Sequence, residues 1–332
     1  MRFLLFIQEM QLHPDLKSEW PSIKAHYQRI GLQTTDNVIW DVQFSVPQAY
    51  LDHEPSVFFY GEEQQNFCRN DNWFRVVEYI NSKNNFMTLA EELKMDIPKT
   101  LRFDQVSDID ISALKNFPFP CYLKAAISVS GVGIYRCATP AELEHAITLF
   151  DPTVPVQVQE EVKTDIFLNM QYRVNEHHLE QLAVTEQILD GFVHQGNRYP
   201  ACCAPWHSVQ PMAQWLFSHG MKGIFAFDVA VVQDKQGTRY MPIECNPRYN
   251  GASYPSLIAE KLVADHWLAR TFTTDKRHLK DIDLTGIEYN PVMGNGIVIV
   301  NWGPVLVGKI LCMLVGTPEI QQRLAMELQN RL

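Results

Sequence analysis

The sequence contains neither Gly-x-Gly-x-x-Gly nor Gly-x-x-x-x-Gly-Lys-Ser/Thr, so it encodes no Rossmann dinucleotide fingerprint and no P-loop. It also lacks any Cys-x-x-Cys pair. Its seven cysteines, an odd number, fit reduced thiols rather than a disulfide framework or a zinc centre. Cys202-Cys203 and His177-His178 are adjacent pairs, and neighbouring side chains are expected to diverge along a strand or helix, which would leave neither pair a site. Basic residues are outnumbered, 28 Lys and Arg against 38 Asp and Glu, for a formal net charge of −10. That balance argues against a general nucleic-acid binder but still permits a local basic pocket for a small anion. No apolar run spans a membrane. Residues 296–316 come nearest, but Asn301, Gly303, Pro304, Gly308 and Lys309 interrupt them, which predicts two buried strands around a Trp302-Gly303-Pro304 turn. The opening run from Met1 to Ile7 ends at Gln8-Glu9, too short for a secretory signal, and reads as a first strand. A cytoplasmic protein is expected.

What is present is ordinary globular material: 332 residues, 46% hydrophobic and 20% charged, enough for two or three subdomains. Residues 1–81 mix predicted strands (3–7, 37–40, 57–60) with polar helical stretches, a small α/β layer without a phosphate loop of its own. A helix is predicted from near Asn84 to Lys94. Then come a strand at 121–126, a loop at 127–133, a strand at 134–137, a helix at 140–150 capped by Thr139, and a strand at 154–158. Further on, the pattern predicts a helix over 256–269 and a closing helix over 318–331.

Residues 223–232 and 238–244 are two apolar runs around a polar, Gly-ended turn, which suggests a β-hairpin. If Val232 and Thr238 flank a five-residue loop, Asp228 lies opposite Pro242. Asp228, Glu244 and Asn246 then share one face, with bulky Phe225, Phe227 and Val229 on the other. Carboxylate and amide oxygens of this kind are ligands for a hard divalent cation. Arg248, two residues beyond Asn246, adds a planar cationic fork suited to phosphate or carboxylate. Lys124 is a charge in the apolar strand 121–126, costly to bury without an anion, and the small residues Ser128, Ser130, Gly131 and Gly133 after it let backbone N–H groups approach phosphates. A plain hairpin turn beside a snorkelling lysine accommodates the same residues. The strand 156–162 ends in Glu160-Glu161-Val162, with Asp165 behind it. It reads either as an edge strand meeting solvent or as the rim of a nucleotide pocket.

Taken in order, Lys83 before a helix, Lys124 on a strand, a Gly-containing loop, Gln159-Glu160-Glu161-Val162, then Asp165, and finally Glu244-Cys-Asn246-Pro-Arg248 resemble the ATP-grasp superfamily over roughly residues 82–260. The continuation from Tyr249 to Ala259 is similar to its peptide-ligase branch. The resemblance implies an α/β and α+β protein: a pre-ATP-grasp-like α/β domain at 1–81, and an ATP-grasp domain at 82–332 with a lid subdomain at about 118–160, its two α+β subdomains gripping ATP. It further implies that Lys83 and Lys124 contact phosphates, that the 128–133 loop closes over them, and that the Glu160 carbonyl and Val162 amide meet adenine while Asp165 takes the ribose. Asp228, Glu244 and Asn246 would hold Mg2+, with Mn2+ as the alternative, and Arg248 would face the transferred phosphoryl group, with Lys124 also acting in catalysis. The activity implied is ATP-dependent ligation of a carboxylate to an amine, an amino acid or peptide, through an acyl phosphate with release of ADP and phosphate. A carboxyphosphate-forming ligase or carboxylase shares every ATP residue, and a non-catalytic ATP-binding protein is the third reading. Nucleic-acid and membrane partners are not expected, and a homodimer is compatible with the sequence.

Overall fold

The computed structural model describes residues 9–42, 71–128, 132–175, 178–191, 193–235 and 237–332. The strands expected at 3–7 and 57–60 lie outside these residues, as do His177 and, in the loop expected to meet phosphate, Val129, Ser130 and Gly131. In chain order the elements begin with β1 (Glu9–Leu12), α1 (Trp20–Arg29), β2 (Asn37–Trp40), α2 (Asp71–Asn81) and α3 (Lys83–Glu92). Next come β3 (Thr100–Phe103), β4 (Cys121–Ala125), β5 (Ile134–Cys137), α4 (Pro140–Ile147), β6 (Val156–Glu160), β7 (Phe167–Val174), β8 (Leu179–Asp190) and β9 (Val193–Tyr199). The run closes with α5 (Gln210–Ser218), β10 (Gly223–Asp234), β11 (Gly237–Asn246), α6 (Ser253–Leu262), β12 (Trp267–Thr273), β13 (Gly296–Asn301), β14 (Lys309–Val315) and α7 (Pro318–Gln329). No helix among the described residues is long and apolar enough to cross a membrane. The chain divides into two compact units, the first comprising Met1–Phe58, Gln195–Ala201 and Asn250–Leu332, the second Phe59–His194 and Cys202–Tyr249.

In the first unit β1 and β2 pair in parallel, and β9, β12, β14 and β13 lie side by side with antiparallel pairing along β12 and β14. The backbones approach closely at Gly196, where a Cβ would stand 2.1 Å from the Ala269 carbonyl oxygen, so only glycine fits. The helix predicted over 256–269 is corrected at both ends. It starts at Ser253, where Asn250 Oδ1 accepts the Ala252 amide and Ser253 Oγ the Asn250 amide, and it stops at Leu262 because Val263 turns left-handed at φ 53°. Trp267 and Ala269 belong instead to β12, where Trp267 is buried and stacks on Tyr199 with ring centroids 5.9 Å apart. Residues 296–316 form two strands as expected, joined through a 3-10 turn at Gly303–Val307. A charged cluster also lies in this unit. The buried His26 places Nδ1 2.7 Å from Glu288 Oε1, Arg29 donates twice to the same carboxylate at 2.7 Å, and His26 Nε2 accepts the Ile299 amide at 3.0 Å.

The second unit holds two antiparallel sheets, each with one apolar and one polar face. In the smaller sheet, ordered β3-β6-β4-β5, strand alternation sends Cys121, Leu123, Val156 and Val158 toward Leu143 and Ala146 of α4, a closed apolar core. Lys124, Gln157 and Gln159 take the other face. Thr139 caps α4 by accepting the Glu142 amide at 3.2 Å with Pro140 at the first helical position, as the sequence indicates, but the helix ends at Ile147 rather than Phe150. The strand expected at 154–158 runs two residues later and stops at Glu160, short of Val162. The larger group of strands, β11-β10-β7-β8, carries Tyr172, Phe225 and Phe227 on its apolar face. Tyr172 stacks on Phe225 at 5.4 Å, and Phe86 of α3 meets Phe227 at 6.4 Å. Fully burying each such ring is worth about 1.5–3 kcal/mol, so α3 is firmly seated and its first residues are held in place. Cys202 and Cys203 depart from expectation. Their sulfurs converge to 3.7 Å instead of diverging, because the pair lies in an irregular segment with neither strand nor helix geometry.

Candidate active site

The polar face of β10 and β11 gathers the acidic residues. The hairpin forms, but with Gln233 opposite Thr238 and a bulge between Asp228 and Val229, so that Asp228 faces Glu244 and not Pro242. The tip shifts the register by one residue and the bulge adds a second, an even total that keeps Asp228 on the expected face. Asp228, Glu244 and Asn246 therefore come together all the same. Asn246 Nδ2 donates to Asp228 Oδ2 at 3.1 Å, and Asn169 of β7 donates from Nδ2 to Asp228 Oδ1 at 2.7 Å. Asn169 was not among the sequence-predicted residues. Its position, opposite Asp228 in the register of β7 and β10, becomes visible only once the strands are paired.

Two lysines approach this carboxylate pair. Ser82 caps α3 by accepting the Asn85 amide at 3.4 Å, which sets Lys83 at the first helical position. Lys83 is 7% exposed, with Nζ 2.9 Å from Glu244 Oε2 and 3.1 Å from Ser128 Oγ. Lys124, 9% exposed at the middle of β4, donates to the neutral Gln159 Oε1 at 2.7 Å and sits 5.4 Å from the Tyr122 ring centroid. Burial pushes its ammonium down to about 8, the Glu244 carboxylate opposing and Lys83 adding to the fall. Burial likewise pushes Asp228 up to about 8, with Glu244 beside it contributing and the Asn169 and Asn246 amides opposing. Burial acts against Glu244 too, but the Lys83 ammonium, helped by Lys124, outweighs it and holds that carboxyl down to about 2. The two carboxylates thus titrate as a pair in which Asp228 takes the proton.

Arg248 is not on the strand. β11 ends at Asn246, because Pro247 supplies no N–H to continue the ladder, and Arg248 lies in the bend beyond. It reaches the cluster differently from the way strand alternation suggested, donating from Nη1 to Asn246 Oδ1 at 2.8 Å. Gly133 adopts φ 70°, and its carbonyl accepts the Ala125 amide at 2.9 Å, closing the hairpin behind the loop. The Glu160 side chain turns back to accept the Lys99 amide at 2.8 Å, and the Val162 carbonyl accepts the Thr164 amide at 3.1 Å. Asp165 is exposed ahead of β7.

The donor set suits a hard cation only in company. Among the described residues no group of three or more His, Cys, Asp or Glu is placed to hold a metal ion. Asp228, Glu244 and Asn246 supply two carboxylates and an amide. Magnesium is usually held by one or two carboxylates completed by substrate phosphates and water, so these residues fit that ion when phosphate is present. The Lys83 ammonium against Glu244 already places a positive charge where a cation is called for.

Comparison with known proteins places the fold. No protein-family model and no curated protein matches the sequence. Solved structures do match over nearly the whole chain. N5-carboxyaminoimidazole synthetase from Staphylococcus aureus, complexed with ADP, is similar at a TM-score of 0.64 and 10% identity, covering 97% of this chain and 96% of that one. An L-amino acid ligase from Bacillus licheniformis gives 0.61 at 12% identity, covering 97% of each chain. N5-carboxyaminoimidazole synthase from Aspergillus clavatus, in complex with ADP and 5-aminoimidazole ribonucleotide, gives 0.59 at 11% identity over 97% of this chain and 98% of that one. The mixed α/β and α+β architecture is that of the ATP-grasp fold.

Proposed function

We propose that the protein is an ATP-dependent carboxylate–amine ligase, forming an amide or peptide bond and releasing ADP and phosphate. One observation carries the reading: buried Lys83 of α3 bonds Glu244, buried Lys124 of the smaller sheet feels the same carboxylate, and Asp228 and Asn246 share its face, an arrangement costly to the empty protein and suited to a polyphosphate with its counter-ion. The lid at about 118–160 contributes Lys124 and the 128–133 loop, and the ATP-grasp region runs from 82 to 332 behind the shorter domain at 1–81. Lys83 leaves Glu244 for phosphate oxygens, and Lys124, now paired only with an amide, gains an anion. Glu160 and Val162 offer backbone groups to adenine, and Asp165 accepts from ribose hydroxyls. Bound Mg2+, held by Asp228, Glu244 and Asn246, would neutralise phosphate charge as the γ-phosphoryl group moves. Arg248, tethered to Asn246, orients toward that group and stabilises the charge redistributed during transfer. These side chains need only position reactants.

A second reading has its own support. Two of the three structural neighbours above carry names of carboxyaminoimidazole synthetases, whose chemistry would bring a carboxyphosphate-forming role to this site in place of amino-acid activation. ADP release measured over amino acids and dipeptides, with and without bicarbonate, separates the two. ADP formation that requires a carboxylate and an amine together supports the ligase; ADP formation dependent on bicarbonate supports the rival. Calorimetry with ATP showing no heat in the presence or absence of Mg2+ overturns both.

A further inference from the structure

Asn169 differs from the other members of the cluster in having a buried amide oxygen with no partner among the described residues. It lies in mid-strand on β7, opposite Asp228 of β10 on one side and Thr185 of β8 on the other, and is 4% exposed. Its Nδ2 donates to Asp228 Oδ1 at 2.7 Å, while its Oδ1 is buried with no hydrogen-bond partner among the described residues. The amide is oriented with Nδ2, its donor, toward Asp228 Oδ1. Asp228 thus receives one amide on each oxygen, Asn169 on Oδ1 and Asn246 on Oδ2. The backbone cannot do this work alone, because the bulge between Asp228 and Val229 breaks the regular pairing that would otherwise aim the side chain.

We propose that Asn169 is the positioning residue of the cation site, fixing the plane of the Asp228 carboxylate through Nδ2 and keeping Oδ1 as an acceptor beside it. This rests on the reading of Asp228, Glu244 and Asn246 as the ligands of Mg-ATP. A residue that orients a ligand without touching the ion affects metal affinity more than nucleotide affinity. A buried amide that merely fills the sheet affects neither.

The test is Mn2+ binding, followed by electron paramagnetic resonance in the presence of a non-hydrolysable ATP analogue, for wild type, Asn169→Leu and Asn169→Asp. Metal-free ADP binding by calorimetry and thermal melting accompany it. Both variants are expected to bind Mn2+ about 10–100-fold more weakly, with metal-free ADP affinity within about twofold of wild type. Unchanged Mn2+ affinity in the leucine variant overturns the proposal, whatever its melting temperature. Tighter Mn2+ binding by Asn169→Asp also overturns it, since added charge helps a direct ligand and not a donor to Asp228. A leucine variant that fails to fold leaves Asn169→Asp, of the same shape, to carry the comparison. Wild-type protein that binds no Mn2+ with the analogue removes the Mg-ATP reading and this inference with it.

Discussion

Two partly buried charge clusters occupy the two compact units, and they are built on opposite terms. Around Glu288 every demand is met: Arg29 donates twice, His26 donates from Nδ1 because its Nε2 accepts a backbone amide, and although burial favours the neutral acid, these partners hold the carboxyl down to about 2. Around Asp228 the demands are unmet. It faces another carboxylate, has only amides for support and is pushed up to about 8, while Lys124 has a neutral amide where an anion would suit it. The first cluster stabilises the fold as it stands; the second is less stable than it would be with a ligand in place. Charges left unsatisfied in a well-packed protein mark where something else binds.

The comparison breaks most sharply at Arg248. Bonded to the Asn246 amide, where Arg29 is bonded to a carboxylate, it is expected to act on phosphoryl transfer, and Arg248→Ala should lower kcat about 10²–10³-fold, the usual cost of one preorganised donor. The dissociation constant of ATP should change by less than about tenfold. Arg248→Lys should restore little, since a point charge does not reproduce a planar fork. Steady-state kinetics beside calorimetry decide it. Lost ATP binding with normal turnover of what is bound would make Arg248 a ground-state phosphate anchor instead.

How much of this site the sequence discloses follows from which forces act locally. Glu244 and Asn246 are legible because strand alternation is a local rule, and Lys124 because a charge in an apolar strand needs a partner. Thr139 and Pro140 mark the start of α4 for the same local reason. The end of α6 is not legible: the apolar pattern continues through Trp267, and nothing at Val263 announces a left-handed residue. The Asp228–Glu244 pairing depends on a bulge, a tertiary adjustment in which one strand absorbs an extra residue. Asn169 is hidden more deeply, since its partner is 59 residues away and its own strand reads as an unremarkable alternating segment.

Glu288 offers the converse of Arg248. Glu288→Ala leaves the His26 Nδ1–H and the Arg29 fork without their acceptor, and should cost roughly 2–3 kcal/mol of folding stability. ATP affinity should stay within about twofold of wild type, since this carboxylate takes no part in the proposed nucleotide cluster. The sign with pH is fixed by the depressed carboxyl. Its stabilisation is complete above the usual carboxylate range and fades as pH falls toward about 2, so the gap between variant and wild type should narrow in acid. Urea denaturation at pH 7 and pH 3 measures both. A gap that stays the same in acid would mean that packing, not charge, explains the loss.

Asp228 carries the smallest expected effect on stability and the opposite sign. Its folded-state pKa is raised, so between the ordinary carboxylate range and about 8 the folded protein keeps a proton that the unfolded chain has released. Stability therefore falls as pH rises through that window, and a side chain with no proton to lose escapes the fall. Asp228→Asn is isosteric and neutral, and Asn169 can still donate to its oxygen. The variant should match wild type near pH 4 and exceed it by on the order of 1–2 kcal/mol near pH 8, less than the full shift implies because Asp228 is only partly buried and its charge is coupled to Glu244. The same substitution should abolish metal-dependent turnover, a gain in stability bought with a loss of function. Melting curves at pH 4, 6 and 8 give the answer. A variant that is less stable than wild type at pH 8 would show that Asp228 is as well satisfied as Glu288, and the contrast between the two clusters would fail at its centre.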